Sequence, residues 1–350
     1  MMKRTVFGLV AALIFLAVNG FTAVAQQVPL TEKEQVARDK AFARYRASLA
    51  DDPRTLLELS DSQTAEILEL TVDDALRMAV VVRPKDLSRP APVVFVYHGR
   101  GGLLSRSMNT LSIYRHWPEA IIVYSQGLWI DGGKKIKWGT GWKMPSRKDV
   151  GRDVRLFDAQ LAYLTAHFPV DTSRIFAMGH SNGGSMTYGL WSFRGKKLAG
   201  VCISGCSSNA ENPAVQRRAA KPAFFLLAED DQLVDSDKYK AYIRYIVGKQ
   251  TDGVGAAVSG RASASGDAGV DGRANAGRDA GVDGRANAGR DAGVNGRANT
   301  GRDTVEAGQM LRYEAAAGGA EVMTFFYPGR HRFNPASLPY IVDFFRRQRK

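Results

Sequence analysis

Short apolar runs rich in β-branched residues alternate along the chain with stretches of helical periodicity, and this alternation limits the possible folds strongly. The runs predicted as buried strands are Leu76–Val82, Pro92–Tyr97, Ala120–Tyr124, Arg174–Met178, Leu198–Ile203, Ala223–Leu227 and Glu321–Tyr327. The stretches predicted as helices are Asp149–His167, Asn182–Phe193, Ser236–Val247, Val305–Ala317 and Pro335–Arg347. Strands that alternate with helices pair mainly in parallel and need cover on both sides. The sequence therefore predicts an α/β fold with a mainly parallel sheet and helices on both faces.

Two segments precede the predicted strands and helices. Residues 1–25 combine a basic start, an apolar run and small residues before Gln26, which is the layout of a signal peptide cleaved near Ala25. We therefore expect the mature protein to be secreted or periplasmic. Residues 26–70 are rich in Glu, Lys, Arg, Ala and Leu and predict a helical N-terminal extension, which leaves 71–350 for the main domain.

A tandem repeat with a period of twelve residues interrupts the main domain. Residues 267–278 read DAGVDGRANAGR, the next twelve residues repeat them, and residues 291–302 differ from them at two positions. The apolar residues of the whole interval 252–303 are Ala and Val alone, so it cannot bury enough surface to offset its ordering entropy. We predict a disordered insertion, since the Gly-Gly-x-Gly-x-Asp pattern of a calcium-binding β-roll is absent.

Composition and charge exclude several kinds of protein. With 350 residues, 45% of them hydrophobic, the chain can form a large core. Beyond residue 25 no apolar run reaches the roughly 18 residues of a spanning helix, so no membrane span is expected. The net charge is +13, but no recognisable nucleic-acid-binding motif accompanies it, and no nucleic acid partner is predicted. Cys202 and Cys206 lack a metal-binding cluster and are either free thiols or, if the chain turns there, a disulfide.

The strongest local motif is GHSNGG at Gly179–Gly184, between a predicted strand and a predicted helix. A serine in such a turn is held in a strained backbone conformation, and the flanking glycines let strand and helix pass closely. Its hydroxyl projects from the carboxyl end of the sheet, beside a helix N-terminus that favours an oxyanion. Ser181 is therefore the candidate nucleophile, although Gly-x-Ser-x-Gly also occurs by chance.

A serine hydroxyl needs a base to remove its proton, and the chain contains five histidines. His331 follows the last predicted strand, where the chain order Ser, acid, His places the base. The acid should follow the preceding strand, and residues 228–235 contain four carboxylates. We select Asp231, because the apolar pair Leu233-Val234 after it should re-enter the core and point the carboxylate inward. Asp230 is the alternative.

An oxyanion needs two preorganised backbone N–H donors. Asn182, the residue after the nucleophile, supplies one. The second should come from the glycine-rich turn His98–Gly102, which follows an early predicted strand. We select the N–H of Arg100, with that of Gly99 as the next choice.

The segment 125–149 has neither helical nor strand periodicity and contains Trp129, Trp138 and Trp142. A long loop of this kind is expected to overhang the site. Its tryptophans could stack on a sugar, a phenolic ring or a polyester unit, or they could equally pack against the domain. We take the three as candidate substrate-binding residues and leave both interpretations open.

In this order, the motifs resemble those of the secreted esterases that include LpqC-type proteins, polyhydroxybutyrate depolymerases and the feruloyl or acetylxylan esterases of carbohydrate esterase family 1. The matching stretches are Pro92–Gly99, Ile122–Gly127, Trp138–Trp142, Asp149–Gly151, Val170–Ile175 and Gly179–Gly184. The resemblance implies an α/β-hydrolase fold that acts on carboxylic esters. It also implies Ser181 as nucleophile, Asp231 as acid and His331 as base.

We therefore expect a secreted serine esterase that needs no cofactor or metal and acts through an acyl-enzyme. Its ester substrate is either small or polymeric, such as a polyester or an acylated polysaccharide. A peptidase of the same fold is one alternative, which peptide anilides tested against matched esters would separate. A non-catalytic protein that binds anionic polysaccharide is another, although such a protein has no physical need for the complete Ser, Asp and His set.

Overall fold

The computed structural model describes residues 57–130, 139–146, 148–208, 218–257 and 308–350, and in addition Glu32, Val36, Lys40 and Ala43, which are helical. The predicted signal peptide, most of the predicted N-terminal extension and residues 258–307 lie outside the described residues. The chain divides into two compact units, Met1–Ala47 and Ser48–Lys350, and the second contains the elements described below.

Twelve strands and five α-helices occur in the described part of this second unit. The strands are β1 (Gln63–Val72), β2 (Ala75–Pro84), β3 (Ala91–Tyr97), β4 (Ile121–Ser125), β5 (Leu128–Ile130), β6 (Gly139–Gly141), β7 (Val170–His180), β8 (Gly200–Ser204), β9 (Ala223–Ala228), β10 (Thr251–Ala257), β11 (Gln309–Ala315) and β12 (Val322–Tyr327). The helices are α1 (Leu104–Thr110), α2 (Arg152–His167), α3 (Asn182–Arg194), α4 (Ser236–Gln250) and α5 (Leu338–Arg347). Short 3₁₀ turns lie at Ile113–Arg115, Gly195–Lys197 and Pro335–Ser337. None of these described helices is long and apolar enough to cross a bilayer.

Ten of the strands form one sheet in the order β1-β2-β4-β3-β7-β8-β9-β12-β11-β10. Neighbours among the six central strands, from β4 to β12, pair in parallel, and the pairings outside them are antiparallel. All seven predicted strands belong to this sheet, as β2, β3, β4, β7, β8, β9 and β12. The strand order is that of the α/β-hydrolase fold, and the predicted fold class is confirmed.

Helices cover both faces of the sheet. Phe95 on β3 and Ala177 on β7 are register partners, so their side chains share one face and Phe176 points to the other. On the first face Phe95 packs edge-on against Phe157 of α2, with ring centroids 4.7 Å apart. On the second face Phe176 stacks on Phe345 of α5 at 4.5 Å. Because both faces are covered, β3 is buried at all seven positions and does not alternate.

The predicted helical extension at 26–70 is wrong at its C-terminal end, where the chain forms the strand β1. β1 pairs with β2 over ten positions through a two-residue turn at Asp73 and Asp74. Both aspartates have a positive φ, 51° and 57°, which is the type I′ geometry that suits the twist of a hairpin. The Glu and Leu residues of β1 favour a helix weakly, and pairing with β2 overrides that preference. The main domain therefore begins before residue 71.

A second correction lies at the opposite edge of the sheet. The segment predicted as the helix Val305–Ala317 contains the strand β11, which pairs antiparallel with both β12 and β10. Its helical composition is a weak preference, which the hydrogen-bonding edge of β12 overrides. β10 occupies the first positions of the predicted insertion 252–303, and the rest of that interval lies outside the described residues. The other four predicted helices are present as α2 to α5.

Candidate active site

Ser181 occupies a sharp turn between β7 and α3. Its φ of 56° and ψ of −120° are strained for a residue with a side chain. A Cβ on Gly179 would lie 2.3 Å from the Gly183 carbonyl group, and one on Gly183 would lie 2.0 Å from the Tyr97 carbonyl oxygen. The Ser181 N–H donates to the Ser204 carbonyl of β8 at 2.8 Å. Strand, turn and helix thus approach so closely that only glycine fits two residues before and two residues after the serine.

Ser181, His331 and Asp231 form one hydrogen-bonded chain. The Ser181 Oγ lies 2.8 Å from His331 Nε2, and His331 Nδ1 lies 2.7 Å from Asp231 Oδ2. An ionised carboxylate can only accept, so Nδ1 carries the proton and Nε2 accepts the hydrogen of the serine hydroxyl. The Asp231 side chain is 1% exposed and that of His331 is 15% exposed. This arrangement can move the serine proton to an imidazole whose cation faces a buried carboxylate.

The orientation of the Asp231 carboxylate comes from its own loop. Its Oδ1 accepts from the N–H groups of Leu233 at 2.9 Å and Val234 at 3.0 Å, which leaves Oδ2 for the imidazole. Of the predicted apolar pair, Val234 packs against the core as expected, but Leu233 is 77% exposed, so the plug is confirmed for one residue and wrong for the other. The main-chain donors fix the direction of the carboxylate. Asp230, the alternative acid, uses its own N–H to donate to the Gly329 carbonyl at 3.0 Å. This bond ties the acid loop to the loop that carries the imidazole.

A second imidazole, that of His180, lies beside the first. The ring centroids of His180 and His331 are 4.9 Å apart, and His180 Nδ1 is 3.0 Å from the Ser204 Oγ. Burial, reinforced by His331, lowers the pKa of His180 to about 4, so this ring stays neutral at neutral pH. Gly205 has a φ of 54°, and a Cβ there would lie 2.8 Å from Cε1 of His180 and 3.3 Å from Cε1 of His331. This contact was not predicted from the sequence, although the glycine directly after β8 could have signalled it.

His98 holds the glycine-rich loop that faces the serine, where a Cβ on Gly99 would lie 3.4 Å from the Ser181 Cβ. His98 Nδ1 lies 2.7 Å from the Gly99 carbonyl oxygen, and Nε2 lies 2.9 Å from the Gly127 nitrogen and 3.0 Å from Gln126 Nε2. Burial lowers the pKa of His98 to about 4. The ring is therefore neutral, with Nδ1 donating and Nε2 accepting, and it joins the loop to the residues after β4.

Some backbone N–H groups around the serine donate hydrogen bonds within the protein, and others have no acceptor there. The Gly101 N–H donates to the Thr140 carbonyl at 2.7 Å. Within the described part of the chain, the N–H groups of Gly99, Arg100 and Asn182 have no partner in the protein. Since Asn182 opens α3, its N–H has no acceptor in its own helix. The three predicted oxyanion donors are therefore available to a ligand.

The three tryptophans differ in position. Trp142 is 1% exposed, its Nε1 donates to the His98 carbonyl at 2.8 Å, and its ring packs edge-on to Tyr97 at 4.9 Å. Of the two interpretations left open by the sequence, core packing is the one that fits Trp142, which supports the glycine-rich loop from inside. Trp129 is half-buried on β5. Trp138 lies outside the described residues.

Buried polar contacts fix the segment around Trp142. The Asn182 Oδ1 accepts from the Trp142 N–H at 2.7 Å, and its Nδ2 donates to the Trp142 carbonyl at 3.2 Å. Asp153 accepts from the Lys143 N–H at 2.7 Å and from Arg77 Nη2 at 2.7 Å. The side chains of Arg77 and Asp153 are both 0% exposed. These contacts were not predicted from the sequence, because pairs between distant positions leave no local pattern.

A cleft of about 520 Å³ opens beside His331. It is lined by the loop His98–Leu103, by α1, by His180 and by the residues that follow His331. Among the described residues no group of three or more His, Cys, Asp or Glu side chains is placed to hold a metal ion. Cys202 and Cys206 are free thiols, which settles the question that the sequence left open.

Comparison with known proteins finds relatives over part of the chain. No protein-family model matches it. It is 31% identical over 134 residues to the probable feruloyl esterase C of Aspergillus niger, covering 35% of this chain and 44% of that protein. The corresponding protein of Aspergillus clavatus is 32% identical over 121 residues, covering 33% and 42%. The matched stretch thus spans less than half the length of these relatives, and over it the predicted resemblance to feruloyl esterases is confirmed.

A solved structure, the Bacillus cereus carboxylesterase, is also similar to this chain. It is 13% identical with a TM-score of 0.47, over 77% of this chain and 93% of that one.

Proposed function

We propose that this chain is a serine esterase that hydrolyses carboxylic esters through an acyl-enzyme. The observation that carries the proposal is the hydrogen-bonded chain from Asp231 through His331 to the Ser181 Oγ, at a strained strand-to-helix turn. The partial similarity to feruloyl esterases supports an ester over an amide as the substrate.

In the proposed reaction His331 Nε2 accepts the hydroxyl proton while the Ser181 Oγ bonds to the ester carbonyl carbon. The carbonyl oxygen becomes an oxyanion, which the N–H of Asn182 and that of Arg100 or Gly99 bind. The bond between carbonyl carbon and alcohol oxygen then breaks, and the imidazolium gives its proton to the departing alcohol. A water molecule, deprotonated by the same imidazole, then adds to the acyl carbonyl carbon. The bond to the Ser181 Oγ breaks as the imidazolium returns the proton to that oxygen, and the acid is released. The Asp231 carboxylate stabilises the imidazolium in both steps.

Hydrolysis of short-chain p-nitrophenyl esters tests the nucleophile. We expect Ser181→Ala to lower kcat by at least about 10³-fold, because the remaining site can only polarise the carbonyl. Ser62→Ala removes a hydroxyl from an exposed serine outside the cleft and should leave the rate unchanged. Equal rates for the wild type and Ser181→Ala, with both folded by circular dichroism, would exclude Ser181 as the nucleophile.

A fluorophosphonate provides a readout that does not depend on the choice of ester. The Ser181 Oγ should displace fluoride and form one covalent adduct, visible as a single mass increase of the intact protein. The adduct should be absent in Ser181→Ala and slow in His331→Ala, since the base is then missing. Labelling of Ser181→Ala at the wild-type rate would place the reactive group elsewhere.

The proposal extends to the substrate class and to export. We infer an ester of the feruloyl, acetylated-polysaccharide or polyhydroxyalkanoate type, to be separated by a screen of one matched ester of each. Peptide anilides with the same acyl groups test the peptidase alternative, which requires comparable kcat/KM values for anilide and ester. Export through residues 1–25 predicts a mature protein that begins near Gln26, which N-terminal sequencing of the exported protein would establish.

A further inference from the structure

The cleft beside the candidate triad is basic. The charged side chains that line it, besides its histidines, are those of Arg100, Arg106 and Arg332, and no acidic residue is among its lining residues. A larger cavity of about 1170 Å³ elsewhere on the domain is lined by acidic and basic side chains together, with Asp61, Asp86 and Glu119 near its arginines. The excess of basic groups is therefore a property of this cleft and not merely of a chain with a net charge of +13.

The three guanidinium groups come from three separate elements. Arg100 lies in the loop after β3, Arg106 on α1 and Arg332 in the loop after β12. All three are exposed, and within the described part of the chain none of them forms an ion pair. Arginines elsewhere on the domain, such as Arg155 and Arg194, are paired with carboxylates. Unpaired arginines that converge on one cleft create a positive potential that attracts anions.

Other titratable groups at the cleft do not cancel this potential. His180 is held neutral by burial, since its pKa is lowered to about 4. Asp231 is the carboxylate that contacts His331, but its side chain is 1% exposed and its charge is directed at the imidazole. A guanidinium group binds a carboxylate through two parallel hydrogen bonds, which fixes orientation as well as charge.

We propose that this cleft selects esters that carry a carboxylate apart from the scissile bond, and that Arg106 and Arg332 bind that carboxylate. The inference rests on the proposed esterase function and names the substrate class of the same site. Arg332 follows His331 directly and lines the same cleft as the imidazole, so its guanidinium group is available to a carboxylate on an ester bound there. Arg106 approaches from α1, on the side of the glycine-rich loop.

Two pairs of isosteric esters test the proposal. The acyl pair is mono-4-nitrophenyl adipate and its carboxamide analogue, and the leaving-group pair is 4-acetoxyphenylacetate and its amide. Within each pair the reacting bond is the same and only the distant charge differs. We expect kcat/KM to be at least about tenfold higher for the carboxylate in one of the pairs, and this ratio to fall as the salt concentration rises to about 0.5 M.

Variants identify the groups responsible. Arg106→Gln and Arg332→Gln should each lower the carboxylate-to-amide ratio of kcat/KM by about fivefold, and Arg106→Glu should bring it below one. Arg244→Gln removes an exposed arginine on α4, outside the cleft, and should leave the ratio at the wild-type value. Ratios near one in both pairs, with turnover that disappears in Ser181→Ala, would overturn this inference alone. Absence of turnover for all four esters would overturn the proposed function and this inference with it.

Discussion

Replacing Gly205 by alanine adds one methyl group between the two imidazoles of the candidate site. Gly205 follows β8 and has a φ of 54°, in the region that residues with a side chain rarely adopt. The new Cβ would lie 2.8 Å from Cε1 of His180 and 3.3 Å from Cε1 of His331. The first distance is shorter than any stable contact between carbon atoms, so at least one ring must move.

Two costs follow, and they affect different measurements. The left-handed backbone conformation costs an alanine about 1–2 kcal/mol of folding free energy. Displacement of a ring adds about 1 kcal/mol more, as overpacking of a filled site does. We therefore expect the free energy of unfolding to fall by about 2–3 kcal/mol. Because His331 Nε2 lies 2.8 Å from the Ser181 Oγ, a small shift of the imidazole lengthens that bond, and we expect kcat to fall by about tenfold or more.

Two other glycines separate these costs. Gly318 has a φ of 71°, and a Cβ added there would have nothing within 4 Å, so Gly318→Ala carries the backbone strain without any contact with the imidazoles. Gly248 lies in α4 with open space around it and an ordinary φ, so Gly248→Ala should stabilise the protein by about 0.5–1 kcal/mol. Urea unfolding and ester kinetics of the three variants are compared at one pH. If Gly205→Ala keeps kcat within twofold of Gly318→Ala, the spacing of the two imidazoles does not depend on Gly205.

Three further predictions concern stability and the sheet edge. Asp153→Asn breaks a buried ion pair and should lower the free energy of unfolding by about 3–5 kcal/mol. Glu119→Gln, which breaks an exposed pair, should change it by less than about 1 kcal/mol. Urea titrations of the two variants measure both effects. As the pH falls from 6.5 to about 4, the unfolded chain protonates His98 while the folded protein does not, so up to about 3 kcal/mol of the free energy of unfolding is lost over that window. Urea titrations at several pH values should show a smaller loss in His98→Gln. Replacing 258–307 by Asn-Gly should leave turnover within about threefold of the wild type. Deleting 252–303 also removes six of the seven residues of β10 and should lower Tm relative to that replacement. Equal Tm values for the two variants would contradict a structural role for β10.

Burial explains which strands could be predicted from the sequence. Central strands such as β3 and β9 are covered on both faces, so nearly every position is apolar and the run is visible without any partner. Strands at or next to the two edges of the sheet lack this signature. β11 is buried at one of its seven positions and carries Glu and Arg, so its sequence favours a helix until β12 is placed beside it. The sequence of β1 hides the strand for the same reason, although the Asp-Asp turn after it is a local signal for a hairpin.

The candidate site divides in a similar way. The positions of Ser181 and His331 follow from the chain, because a turn motif and the order of parallel strands are local or topological properties. The contacts that hold these side chains in place are neither local nor topological properties. His98 bonds to Gly127, and Asn182 bonds to Trp142, through pairs whose partners lie far apart in the sequence. A single sequence carries no record of which distant residues meet, so these supports become visible only in three dimensions.

The position of the Asp231 carboxylate follows from the register of two parallel strands. β9 and β12 are parallel, and Ala228 at the end of one is the partner of Tyr327 at the end of the other. Beyond these ends the pairing continues into the loops, since the Asp230 N–H donates to the Gly329 carbonyl. Asp231 stands one residue further along and His331 two residues beyond Gly329, so their side chains meet just past the sheet edge. The Oδ1 bonds to two following N–H groups then make an Asx-type turn, which only an aspartate or asparagine at that position can form. In the structure the register of the two strands and this turn therefore direct the Asp231 carboxylate to the imidazole, whereas Asp230 contributes its backbone N–H to the same junction.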